Sequence, residues 1–115
     1  MSGLMRCMMI STTRLLREWA NKVKERDGKC VICGRTEGVL QAHHIIPKGI
    51  PDYKFDVDNG ITLCFQHHKG KQYSAHQNAV WFSVWLRDNR PDLYEYTQRK
   101  LDKLQYTKHS HLSAS

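Results

Sequence analysis

Apolar residues recur along the N-terminal part of the chain with helical spacing: Leu15, Leu16, Trp19 and Val23 form one stripe. Ser11 before them suits an N-cap and Gly28 after them a stop, so the pattern predicts a helix from residue 12 to 26 or 27. Residues 1 to 10 carry no period and are expected to fray. Val39 to Ile46 reads as a strand broken by Pro47, Gly49 and Pro51, and Ile61 to Cys64 as the strand that returns. The polar connection between them is about 13 residues long, more than a hairpin needs, and such loops in compact domains tend to be functional. Phe65 to about Lys71 fits a short helix. Ala79, Val80, Phe82, Val84, Trp85 and Leu86 make an amphipathic run that ends before Pro91. Pro91 opens a last helix with Leu93, Tyr96, Leu101 and Leu104 as its buried stripe. Both helices fall within 74–105, and Lys108 to Ser115 are expected to be unordered. Trp81, Trp85 and Tyr94 either pack in the core, the ordinary outcome at this spacing, or stack on bases.

At 115 residues with 40% apolar content, the chain is the size of one domain spanning 1–115. So small a core often needs a metal or disulfide staple, which directs attention to the four cysteines. The apolar stretch from Met5 to Ile10 is interrupted by Arg6 and too short to span a bilayer, so no secretory or membrane segment is expected and the protein is read as cytoplasmic. In a reducing compartment a Cys-x-x-Cys pair followed by Cys and His holds a metal more often than it forms disulfides. Cys7 lies apart and reads as a spare thiol. A net charge of +7 favours a polyanionic partner, although a solvated basic face is the plainer account of charge alone. The same two readings apply to Arg14, Arg17, Lys22, Lys24 and Arg26 on the outer faces of the first helix.

Cys30-x-x-Cys33 and Cys64-x-x-His67 are two short-spaced ligand pairs, each at a chain reversal. Together they supply the four ligands of a closed tetrahedral zinc site, and such binding contributes folding free energy on the order of 10 kcal/mol in small modules. Histidine is abundant, with seven in all, and His43-His44 and His67-His68 are adjacent pairs. Helical neighbours diverge by about 100°, so His67 can face the zinc while His68 faces a second site. Strand neighbours point to opposite faces, so His43 and His44 share one site only if the strand bends or ends near them.

Ala42-His43-His44-Ile45, then Asn59-Gly60-Ile61-Thr62-Leu63-Cys64, then His68 resemble the signature of the HNH endonucleases, with His44, Asn59 and His68 as the lettered residues. The resemblance covers about residues 28–72. It implies an α+β fold: a ββα-metal core with a treble-clef-like structural zinc site of Cys30, Cys33, Cys64 and His67, flanked by an N-terminal helix and two C-terminal helices. It further implies that His43 and His68 hold a catalytic divalent ion such as magnesium or manganese and that His44 is the general base. Asn59 would fix the loop, either through a hydrogen bond to His44 or by coordinating the ion. Hydrolysis of a phosphodiester in DNA, by nicking or double-strand cutting, is the implied activity. Some members carry a further metal-binding histidine four residues after the last motif histidine. That position is Gln72 here, which leaves the third ligand open. His76 could reach the site after a break at Gly70 or face solvent, and Asp52, Asp56 and Asp58 are harder donors in the motif loop.

Free-standing domains of this size are similar to small nucleases of phage and mobile elements, which suggests partners such as phage packaging proteins or a second copy in a homodimer. Two other classes remain: a non-catalytic zinc module that binds nucleic acid, and a structural zinc domain for protein interaction. His44 separates them, because only catalysis needs an unliganded histidine beside a metal.

Overall fold

The computed structural model describes residues 11–70 and 72–113, from 105 onward by backbone alone. The expectations for residues 1 to 10, including Cys7, lie outside the described residues. Helix α1 spans Thr12–Asp27. Ser11 caps it by accepting a hydrogen bond from the Arg14 amide at 3.1 Å, and Gly28 ends it at φ 69°, where its own N–H reaches the Lys24 carbonyl. Of the predicted stripe, Trp19 and Val23 are buried and Leu15 and Leu16 are half-buried.

Strand β1, Leu40–His44, pairs antiparallel with β2, Gly60–Cys64, in the register Leu40↔Cys64 and His44↔Gly60. Both strands were expected; β1 is shorter than predicted and stops at His44. All five residues of β2 are buried, whereas β1 is half-buried throughout. The long connection between them is not featureless, since it folds into one-turn 3-10 helices at Pro51–Tyr53 and Val57–Asn59. A single wide turn of π geometry, Gln66–Gly70, follows β2 in place of the predicted short α-helix.

Two helices complete the chain: α2, Ala79–Asn89, capped by Asn78, and α3, Pro91–Ser113. Helix α3 continues beyond the predicted boundary near 105 and through most of the segment expected to be unordered. No glycine or proline follows Pro91, so nothing local stops it. None of the described helices is long and apolar enough to cross a membrane. Ile61, Leu63, Phe82, Leu86 and Leu93 form the centre of the core, and Trp81, Trp85 and Tyr94 pack partly buried against it.

Helix α1 is tied to the sheet by charge as well as packing. The Asp27 carboxylate accepts from the Thr62 amide at 2.9 Å, pairs with Arg26 at 2.8 Å and faces Arg90 at 3.6 Å. Burial pushes this carboxyl upward, but Arg26 and the Thr62 amide outweigh it and hold Asp27 below the usual carboxylate range. Arg26, expected to face water or a phosphate, instead donates to the carbonyls of Val57 and Gly60.

The tightest contact is at Gly60, where a Cβ would stand 2.7 Å from the Trp19 ring and still closer to the Val23 methyl. Its φ of −130° suits any residue, so space alone requires glycine. Gly60→Ala is expected to cost about 1–3 kcal/mol through overpacking, measured as a shift in the urea midpoint. A variant as stable as wild type would contradict so close an approach of α1 to β2.

Candidate functional site

The first cluster is assembled from two chain reversals. Cys30 and Cys33 lie in the turn after α1, where the Gly34 amide donates to the Cys30 carbonyl at 2.8 Å, and Cys64 ends β2 with His67 one turn later. Cys33 Sγ lies 3.8 Å from Cys64 Sγ, and His67 Nδ1 lies 3.3 Å from Cys64 Sγ and 3.8 Å from Cys30 Sγ. All four donor atoms are within 4.8 Å of one another. A tetrahedron with bonds of about 2.3 Å has edges of about 3.8 Å, so the arrangement fits a zinc-sized ion without rebuilding. Burial alone would push the Cys30 thiol upward, yet backbone amides of Cys33, Cys64 and Ile32 outweigh it and lower its pKa. Burial, with Arg35 nearby, lowers the His67 pKa and favours the neutral, ligating form.

The adjacent histidine turns the other way. His68, His43 and His76 bring their ring nitrogens within 4.8 Å of one another, with His68 Nε2 and His76 Nε2 3.1 Å apart. Ligand bonds of about 2.1 Å place neighbouring nitrogens about 3.0–3.4 Å apart; His68 and His76 have that spacing, and with His43 within 4.8 Å of both the three imidazoles could hold one divalent ion. Burial first, then the neighbouring histidines, depress His43 to about 3; burial, His76 and Lys69 depress His68 to about 4. Both are therefore neutral near pH 7 and available as ligands. Among the described residues no carboxylate joins this cluster; Asp56, one of the loop acids considered from sequence, instead accepts from the Tyr96 hydroxyl.

His76 brings a third imidazole to this cluster, whereas the motif position is Gln72. After Gly70 the chain reverses, and hydrogen bonds from the Ala75 amide to the His67 carbonyl and from the His76 amide to the His68 carbonyl lay it against the preceding turn. The residue is exposed, as the plainer sequence reading held, but its ring faces the cluster. Gln41 was missed altogether. Its Oε1 accepts from His68 Nδ1 at 2.7 Å, which leaves His68 Nε2 with a lone pair directed at the cluster. The available signal was its position two residues before His43, on the same strand face.

His44 ends β1, and it and His43 line one cleft of about 680 Å³. Its ring stacks on Trp19 with centroids 3.8 Å apart and planes 10° from parallel. His44 Nε2 lies 2.8 Å from the Lys54 carbonyl oxygen. Because a carbonyl can only accept, Nε2 carries the hydrogen and neutral His44 holds its lone pair on Nδ1. Burial lowers the His44 pKa, the cations of Lys48 and Lys54 lower it further, and the Lys54 carbonyl restores part of the loss.

Asn59 fixes the loop, but without a bond to His44. Fully buried, it accepts from the Ile46 amide at 2.6 Å and donates to the carbonyls of Ile46 and Tyr53, both at 3.1 Å. Tyr53 precedes the residue whose carbonyl holds His44, so Asn59 acts one step removed. Two helices grip the same loop: Trp19 Nε1 donates to the Asp56 carbonyl at 2.7 Å, and Tyr96 donates to the Asp56 carboxylate.

Residues 30–70 match a family model described as HNH endonuclease. No curated protein and no solved structure matches the chain. The matched segment contains the three cysteines and His43, His44, Asn59, His67 and His68, whereas Trp19, His76 and Tyr96 lie outside it.

Removing metal with a chelator, or making Cys30→Ser, is expected to lower the calorimetric melting temperature, with loss of bound metal measured in parallel. Full stability in the metal-free protein would mean that the four sulfur and nitrogen donors hold nothing.

Proposed function

We propose that this protein, whose residues 30–70 match a family model described as HNH endonuclease, hydrolyses phosphodiester bonds of DNA with His44 as general base and a divalent ion held by His43, His68 and His76. The coarser conclusion is nuclease-type handling of nucleic acid at a chain that binds divalent metal. The observation that carries the finer one is the His44 tautomer: a bond from Nε2 to a backbone carbonyl leaves Nδ1 as a base, on a residue that lines the same cleft as His43, His68 and His76.

In the proposed reaction a water loses its proton to His44 Nδ1 and its oxygen forms the new bond to phosphorus. The bond from phosphorus to the 3′ oxygen breaks, giving a 5′-phosphate and, after protonation from solvent, a 3′-hydroxyl. When bound, the divalent ion would neutralise charge on the phosphate and stabilise the departing oxygen. Lys48 and Lys69, which line the cleft, attract the phosphate backbone without reading sequence. Cys30, Cys33, Cys64 and His67 are assigned to a structural zinc on their donor types. Three imidazoles without a carboxylate favour manganese or a later first-row ion over magnesium at the second site.

His44→Ala is expected to abolish cleavage of both supercoiled plasmid and single-stranded circular DNA in manganese. Equal cleavage by variant and wild type would remove His44 from the reaction; inactivity of wild type with every divalent metal would leave a binding module. Because the base must be neutral and its pKa is lowered, the rate should rise with pH below about 6.5 and then level off. A limb centred well above that value would assign the titration to another group.

The stack under His44 makes Trp19 a positioning residue. Trp19→Leu is expected to lower kcat by about 10- to 100-fold with little change in KM, whereas Trp19→Phe, which keeps a ring beneath the imidazole, should retain more of the rate and the wild-type pH limb. Equal losses of rate in both variants, tracking stability alone, would reduce Trp19 to a packing role.

A further inference from the structure

The cleft that holds the histidines has two unlike walls. Its lysines, Lys48 and Lys69, stand on the histidine side, close enough to His44 and His43 to act on their charge. The opposite wall, built by α2 and α3, offers Ser83, Tyr94, Gln98 and Leu101 to the cleft and, among the described residues, no charged side chain. Two cations near this wall are engaged elsewhere: Lys100 of α3 lies over the rings of Tyr53 and Tyr96, and Arg90, between α2 and α3, pairs with Asp92 and Asp27.

A wall that followed the second backbone of a duplex would need cations, since half to two-thirds of protein–DNA hydrogen bonds go to phosphate and sugar. This wall presents ring, methyl and amide groups, which suit the face and edge of a nucleobase. The cleft's volume of about 680 Å³ falls within the range of about 300–1,000 Å³ that encloses small molecules, room enough for one nucleotide unit.

We infer that an unpaired base of the substrate strand seats between α2 and α3 beside the scissile phosphate, so that the protein acts on single-stranded or locally unpaired nucleic acid in preference to intact duplex. The inference rests on the nuclease reading for its chemistry, while the base pocket itself is defined by the uncharged wall. Extruding a base from a duplex costs pairing and stacking, and an already unpaired base escapes that cost. The phosphate next to such a base is then delivered to the histidines by Lys48 and Lys69.

The test measures binding apart from cleavage. Fluorescent oligonucleotides carrying 2-aminopurine are titrated with the full chain in buffer free of magnesium and manganese, as single strand, as intact duplex and as duplex with a two-base bulge. Affinity is expected to be at least about ten-fold higher for the single strand and the bulge than for the duplex, with a change in reporter fluorescence as the base enters the pocket. Ser83→Trp, at an exposed position of α2 that faces the cleft, is expected to fill the pocket and abolish both the preference and the fluorescence change. Duplex bound as tightly as single strand, or a preference untouched by Ser83→Trp, overturns the inference. Its failure is separable from that of the nuclease reading: base preference without cleavage under any divalent metal refutes the chemistry alone, and cleavage with no preference refutes the pocket alone.

Discussion

The close approach of Trp19 and Val23 to Gly60 is the contact on which the rest of the site depends. Gly60 opens β2 and stands opposite His44 in the strand register, so the helix that fills the space above the glycine also reaches the last residue of β1. The Trp19 ring then serves three neighbours: it packs over Gly60, stacks on His44 and donates its N–H to the Asp56 carbonyl. Helix packing and orientation of the proposed base are thus a single interaction. Tyr96 joins the same loop from α3, so residues outside the matched family segment hold the segment's own histidine in place.

The wide turn after β2 provides the second economy of the design. His67 and His68 are adjacent, yet one completes a cluster of sulfurs and the other a cluster of imidazoles. Hydrogen bonds from the Ala75 and His76 amides to the carbonyls of His67 and His68 carry the chain back onto that turn. The fold that anchors one cluster therefore delivers the last donor of the other. Burial and mutual proximity keep His43 and His68 neutral, which suits metal binding, while His44 stays outside the cluster with one nitrogen committed to a carbonyl and one available.

Asn59 illustrates how an expected role can survive by a different route. The sequence motif led to a bond with His44 or with the ion, and the amide instead satisfies the Ile46 and Tyr53 backbone. A fully buried amide must spend its hydrogen-bonding groups on whatever polar atoms surround it. Here those atoms belong to the start and the middle of the loop, so Asn59, at its end, closes the loop and the Lys54 carbonyl does the orienting.

Where chemistry depends on neighbours in sequence, the chain announced it. The paired donors Cys30 and Cys33, and Cys64 and His67, sit within single turns; the stripe of Leu15, Leu16, Trp19 and Val23 marked α1; and the breakers after Ile46 foretold a strand ending near the adjacent histidines. Those features follow from fixed local periods and turn geometry, which any folded context preserves. What only the tertiary structure decided are the pairings across chain reversals: Trp19 beneath His44, Gln41 on His68, Tyr96 on Asp56 and His76 in the place of Gln72. Each depends on how two elements pack, and the number of arrangements open to residues far apart in sequence is too large for spacing to select one. Burial and steric fit select it, as at Gly60, where the absence of a side chain lets α1 come close enough to matter.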